Sequence, residues 1–82
     1  MKYVIVGSFG IETARLGSEV DGHLDLVCPG QRVLSAGYCT LFVGPDAKIK
    51  AHVWGHSHAL EVESRGQEDE EIIEKTISFR GA

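Results

Sequence analysis

Residues 38–54 read YCTLFVGPDAKIKAHVW, with a turn signal between two stretches rich in β-branched, aromatic and other apolar residues. The signal is Gly44-Pro45-Asp46, in which proline fixes φ at the second position of a turn. Residues of this kind favour strands because they pack well on a pleated, half-buried surface. The stretch therefore predicts two strands, at 38–43 and 47–54, joined by a tight turn.

The same pattern extends over the rest of the chain, where ten glycines among 82 residues separate short apolar runs. Pro29-Gly30 is a further turn signal, suited to a type II turn. The spacing predicts additional strands, at 2–6, 23–28, 31–36, 58–63 and 72–79. We therefore expect one mainly β domain spanning residues 1–82, with about six short strands and a possible short C-terminal helix. The pattern leaves open a small sheet, a barrel or a short β-solenoid.

Two segments also have some helical character. Residues 9–16 are short and lack an apolar stripe. Residues 68–79 begin with acidic side chains, which suit the positive end of a helix dipole, and residues 64–67 have the spacing of a capping box. As a strand, the same segment would place Ile73, Ile77 and Phe79 inward. Periodicity does not decide between the two, and the β propensity of the last residues favours the strand.

An internal repeat is present in the middle of the chain, where residues 26–33 align with residues 42–49 at an offset of 16. Such a repeat indicates a strand-turn-strand unit used more than once. Residues 41–53, together with 20–24 and 60–66, resemble coils of the bactofilins, polymer-forming bacterial cytoskeletal proteins. The resemblance covers residues 19–66. It implies a right-handed β-helix that self-assembles end to end without nucleotide.

Charge is unevenly distributed. The net charge is −4, and residues 1–60 carry five acidic and five basic residues. Residues 61–74 carry seven acidic residues and one base, Arg65. A neutral body provides no attraction to phosphate backbones, so nucleic-acid binding is not expected, and a basic amphipathic helix for membrane binding is lacking. The acidic segment 61–74 is a possible contact for a basic protein partner. The start of the chain has no secretory signal, which predicts a cytoplasmic protein.

Histidines form the most chemically distinctive pattern. In an extended strand, His52, Trp54, His56 and His58 share one face. His56 and His58 would lie about 7 Å apart along it, so both imidazoles could reach one divalent metal. The predicted ligands are His52, His56 and His58, with Glu63 supplying a carboxylate. The alternative is a polar or interface strand without metal. Gly55 indicates a bulge or turn within this stretch.

The functional prediction rests on size. A chain this short buries a modest core, and a small sheet leaves edges that need covering. The sequence contains no recognisable phosphate-binding loop or nucleophile elbow. Cys28 and Cys39 are expected to be reduced thiols that behave as small apolar residues. The sequence favours a non-enzymatic, homo-oligomeric domain that associates with itself or a partner. Its predicted interface residues are Trp54, Tyr38 and Phe42. The alternative is a metal- or ligand-binding barrel.

Overall fold

The protein is described by a computed structural model that covers residues 1–18 and 21–81. It is mainly β, as predicted, with one C-terminal helix. The strands are β1 (Lys2–Ser8), β2 (Ile11–Gly17), β3 (Arg32–Val43), β4 (Ile49–Trp54), β5 (His56–Ser57) and β6 (Val62–Glu63). A short 3₁₀ helix spans His23–Leu26, and α1 spans Gln67–Gly81.

Four of the strands form an antiparallel sheet in the order β2-β1-β3-β4. The hairpin predicted from residues 38–54 is confirmed, with Tyr38 opposite Trp54 at one end and Val43 opposite Ile49 at the other. Its turn is closed by the N–H of Gly44, which donates to the carbonyl of Lys48 over 2.8 Å. The sheet is open, since β2 and β4 each pair with one neighbour among the described residues. The sequence left open a small sheet, a barrel or a short β-solenoid, and the structure is a small open sheet.

Three predicted strands differ from the structure in their extent. The strands expected at 31–36 and 38–43 are one long strand, because Gly37 is buried inside β3 and continues it. The strand expected at 58–63 is restricted to β6, and residues 58–61 instead form the turn that joins β5 to β6. In that turn Glu61 has a φ of 55°, which ends an extended conformation there.

Three segments differ in type. Residues 9–16 lie mostly in β2, because its hydrogen bonds to β1 outweigh the weak helical pattern. Residues 23–26 of the strand expected at 23–28 form the 3₁₀ helix, in which Asp25 accepts a hydrogen bond from the N–H of Gly22. The strand favoured at 72–79 is helical. Tertiary packing decides this last case, since Ile73 is fully buried against the sheet.

The core lies on both faces of the sheet. On one face α1 packs over a cluster of buried side chains: Tyr3, Ile5, Ala14, Cys39, Ala51, Val53 and Ile73. The other face is covered over β1 and the start of β3 by the 3₁₀ helix region and by residues 60–62. There the buried residues are Val4, Val6 and Ala36. Cys39 thus belongs to the core, whereas Cys28 is exposed.

Helix α1 also protects both edges of the sheet. At β4, the outward N–H groups of Ala51 and Val53 donate to the carboxylates of Glu74 and Glu70, over 3.0 and 3.1 Å. At β2, the N–H of Ala14 donates to Thr76 Oγ1 over 3.4 Å. Unpaired edge groups are a template for pairing with another chain. The helix therefore bridges the two edges and occupies edge groups that a further strand would need.

Candidate functional site

The exposed half of one sheet face carries all three residues that the sequence proposed as an interface. Tyr38, Thr40 and Phe42 of β3 lie on this face, directly opposite Trp54, His52 and Lys50 of β4. We call Tyr38, Phe42, Trp54 and His52 the aromatic face. Phe42 is 49% exposed and Trp54 is 46% exposed. Large apolar side chains grouped in this way on a small protein mark an interaction surface more often than isolated ones do.

Three of the four rings of the aromatic face contact one another. Tyr38 and Trp54 are stacked with their centroids 6.2 Å apart, and His52 also stacks on Trp54, with their centroids 5.7 Å apart. The buried His23 contacts Tyr38 edge-on, with the ring centroids 5.5 Å apart. The Nε2 atom of His23 lies 2.8 Å from the carbonyl oxygen of Gly37, which fixes that ring. These contacts order the end of the face that carries Tyr38, Trp54 and His52.

The predicted metal ligands are divided by Gly55. It has a φ of 82°, so the chain turns there, as the sequence indicated. His52 remains beside Trp54, with its Nδ1 atom 3.5 Å from a carboxylate oxygen of Glu70. His56 and His58 lie together beyond the turn, and their Nε2 atoms are 3.0 Å apart. Glu63 is directly opposite His56 in the β5–β6 pair.

His56, His58 and Glu63 line one open pocket of about 340 Å³, together with Glu61. Both imidazoles are exposed. Among residues 1–18 and 21–81, no group of three or more His, Cys, Asp or Glu side chains is arranged so that it could hold a metal ion without side-chain movement. Of the predicted metal ligands, the structure brings His56 and His58 into contact, and the carboxylates of Glu61 and Glu63 line the same pocket.

Part of the acidic segment 61–74 is engaged within the fold, although Glu61, Glu63, Glu68 and Glu71 are exposed. Besides the two glutamates at the β4 edge, Glu68 lies 3.5 Å from the guanidinium of Arg65, and Asp69 is fully buried. Helix α1 begins within this segment, and the carbonyl of Gly66 accepts its first hydrogen bonds. The capping-box spacing of residues 64–67 did not identify the helix start, since Ser64 Oγ instead accepts from the N–H of Gly66.

Asp69 is the centre of a buried polar network that the sequence did not reveal. One carboxylate oxygen accepts from Tyr3 Oη over 2.6 Å and from the N–H of Arg65 over 2.9 Å. The other accepts from Ser35 Oγ over 2.8 Å and from Arg65 Nε over 2.9 Å. Arg65 also contacts Glu12 at 3.1 Å. These contacts join β1, β2 and β3 to the start of α1, which identifies the network as structural.

This network makes stability sensitive to alkaline pH. Burial, together with the hydrogen bond to Asp69, strongly raises the pKa of Tyr3. A group whose pKa is raised on folding stabilises the native state below its unfolded pKa, about 10 for tyrosine, and loses that contribution as the pH rises further. Tyr3→Phe is therefore expected to be less stable than the wild type at pH 7, by a margin that shrinks above about pH 10. Urea unfolding of both proteins across this range measures the margin. A constant margin would contradict the assignment.

No protein-family model, curated protein or solved structure matches this chain. The resemblance of residues 19–66 to bactofilins therefore stays a prediction, and residues 19 and 20 of that range lie outside the described residues. Within the described part of the chain, helices long and apolar enough to cross a membrane are not found.

Proposed function

We propose that this chain is a non-enzymatic domain that associates with a second copy of itself through the aromatic face. The observation that carries the proposal is the grouping of half-exposed Phe42 and Trp54 with Tyr38 on the uncovered half of a sheet face. The other half of the same face is already covered by the chain's own apolar residues. A second copy on the aromatic face would complete the cover.

Because α1 already binds groups at both edges of the sheet, association through the aromatic face is favoured over pairing of strand edges. The N–H groups of Ala51, Val53 and Ala14 already have acceptors on the helix. An added strand would have to displace these side chains before it could pair. Face-to-face association needs no such displacement, because Phe42 and Trp54 are already half-exposed on this face.

Charge placement supports a second copy as the partner. Lys48 and Lys50 lie at the Phe42 end of the hairpin. At the Trp54 end the chain continues into the β5–β6 pair, where the N–H of Ser64 donates to the carbonyl of Gly55 and so brings Glu63 near. In a two-fold interface with antiparallel hairpins, Lys48 and Lys50 of each copy, whose turn also carries Asp46, would approach Glu63 of the other copy. Such self-complementarity is what an isologous dimer requires.

The test is sedimentation equilibrium of the untagged protein over a wide concentration range, in buffer with chelator. We expect a monomer–dimer equilibrium. Phe42→Glu should weaken it by about 30-fold or more, equivalent to about 2 kcal/mol, as for the loss of a central apolar contact. The new glutamate faces Lys50 across the strand pair, so folding should be preserved.

Phe9→Glu is the matched control. Phe9 is fully exposed in the β1–β2 turn, away from the aromatic face, and the substitution makes the same chemical change. This variant should dimerise like the wild type. A wild-type protein that stays monomeric at the highest concentration, or a Phe9→Glu variant that dissociates as fully as Phe42→Glu, would overturn the proposal. Open-ended growth would instead favour the polymer implied by the bactofilin resemblance.

A further inference from the structure

We propose that His56, His58 and Glu63 bind one divalent transition metal ion, of which zinc is the reference case, in the pocket of the β5–β6 hairpin. This site lies beyond the turn at Gly55 and shares Glu63 with the proposed interface, but metal binding goes beyond the proposed self-association. The Nε2 atoms of the two imidazoles already lie next to each other.

The distance between the nitrogens fits shared coordination. Two nitrogens bound to one tetrahedral zinc at about 2.05 Å lie roughly 3.3 Å apart. The Nε2 atoms of His56 and His58 are 3.0 Å apart, and the rings are nearly perpendicular, at 83°. A separation of a few tenths of an ångström more, with loss of the shared proton and a rotation that turns both lone pairs toward one point, would admit the ion. The contact between the nitrogens would then be replaced by two metal bonds.

The carboxylate comes from the opposite strand. Directly opposite residues of an antiparallel pair have their Cβ atoms about 4.5–5.5 Å apart on the same face. Glu63 occupies that position relative to His56 and lines the same pocket. A change of its side-chain rotamer completes a set of two nitrogens and one oxygen, with the fourth position open to water. Imidazole and carboxylate ligands of this kind suit zinc, nickel and copper.

The backbone holds these residues in place. The turn between β5 and β6 is closed by the N–H of Glu61, which donates to the carbonyl of His58 over 3.3 Å. The buried Ser57 accepts the N–H of Leu60 at 3.2 Å, and the N–H of Ser64 closes the base on Gly55 at 3.0 Å. A hairpin fixed at its turn and its base loses little conformational freedom when it binds an ion.

The test is calorimetric titration of the untagged, chelator-stripped protein with zinc chloride. We expect saturation at one zinc per chain. His58→Ala and Glu63→Gln remove proposed direct ligands, so each should weaken binding by at least the roughly 10–100-fold that follows loss of an outer-shell partner. Both side chains are exposed, so both variants should unfold at the wild-type urea midpoint.

Glu71→Gln is the matched control, because Glu71 is an exposed glutamate on α1 that does not line this pocket. It should bind zinc like the wild type. Non-saturable binding, one zinc per two chains, or unchanged affinity in His58→Ala or Glu63→Gln would overturn the proposal. Repeating the titration with Phe42→Glu separates the two proposals: zinc binding should persist there even if association is lost or was never present.

Discussion

Asp69→Ala is expected to lower the free energy of unfolding by about 3–5 kcal/mol, the cost of breaking a buried charged pair by removing one partner. The wild-type carboxylate accepts from Tyr3, Ser35 and Arg65, and the residue has no exposed surface. Alanine would remove the acceptor that these donors share, leaving Tyr3 Oη with Ser64 Oγ alone and Arg65 Nε with Ser35 Oγ alone. A chain of 82 residues has a total stability of about 4–12 kcal/mol, so this one change would remove a large part of it.

Urea unfolding followed by circular dichroism measures the effect. Glu71→Ala is the control, since Glu71 lies two residues away in the same helix and is exposed. This substitution should lower the free energy of unfolding by about 0.5 kcal/mol or less. Asp69→Asn keeps the size of the side chain but removes its charge beside Arg65, so we expect an intermediate loss. If Asp69→Ala were no less stable than Glu71→Ala, the network would not hold the helix to the sheet.

Local features were sufficient to predict the central hairpin. Residues 38–54 combine a proline-containing turn with two stretches that favour strands, and these signals concern neighbouring residues only. The sequence named Tyr38, Phe42 and Trp54 as interface residues, and the register of β3 with β4 places the three on one face. Their role as an interface stays a prediction. Because the side-chain period of a strand is two, an alternating pattern determines which residues share a face.

The C-terminal helix was harder to predict because its evidence is tertiary. Ile73 and Ile77 fit either a helix or a strand when residues 68–79 are considered alone. The helix is selected by the burial of Ile73 against the sheet and by Glu70 and Glu74, which reach the β4 edge from adjacent turns. The four-residue spacing of Glu70 and Glu74 is consistent with one helix face. It indicates a contact only when the position of the β4 edge is known.

The buried role of Asp69 depends on partners far away in sequence. Tyr3 lies 66 positions away and Ser35 lies 34 positions away. In the sequence, Asp69 is one of four consecutive acidic residues. Nothing in the sequence indicates that Asp69 is buried while Glu68, Glu70 and Glu71 are not. The division of the histidines has a simpler cause. Gly55 turns the chain between His52 and His56, and the sequence indicated the turn without its direction.

Gly37→Ala is expected to destabilise the protein by about 3 kcal/mol, at the upper end of the cost of inserting a methyl group into a packed interior. A Cβ atom at Gly37 would lie 2.5 Å from the carbonyl oxygen of Trp54 and 3.3 Å from the ring of Tyr3. The first of these atoms belongs to the backbone, at the point where β4 ends and the chain turns at Gly55. It cannot move aside without shifting the strand that carries Trp54.

The effect should therefore reach the aromatic face as well as stability. We expect a lower urea midpoint together with a weaker near-ultraviolet circular dichroism signal from Trp54, because its stacking on Tyr38 depends on the position of β4. Gly7→Ala is the control: its Cβ atom would meet only the side chain of Leu34, at 3.3 Å. That flexible side chain can yield, so the cost should stay below about 1 kcal/mol. Equal losses in the two variants would show that the close approach of Trp54 to Gly37 does not determine the position of β4.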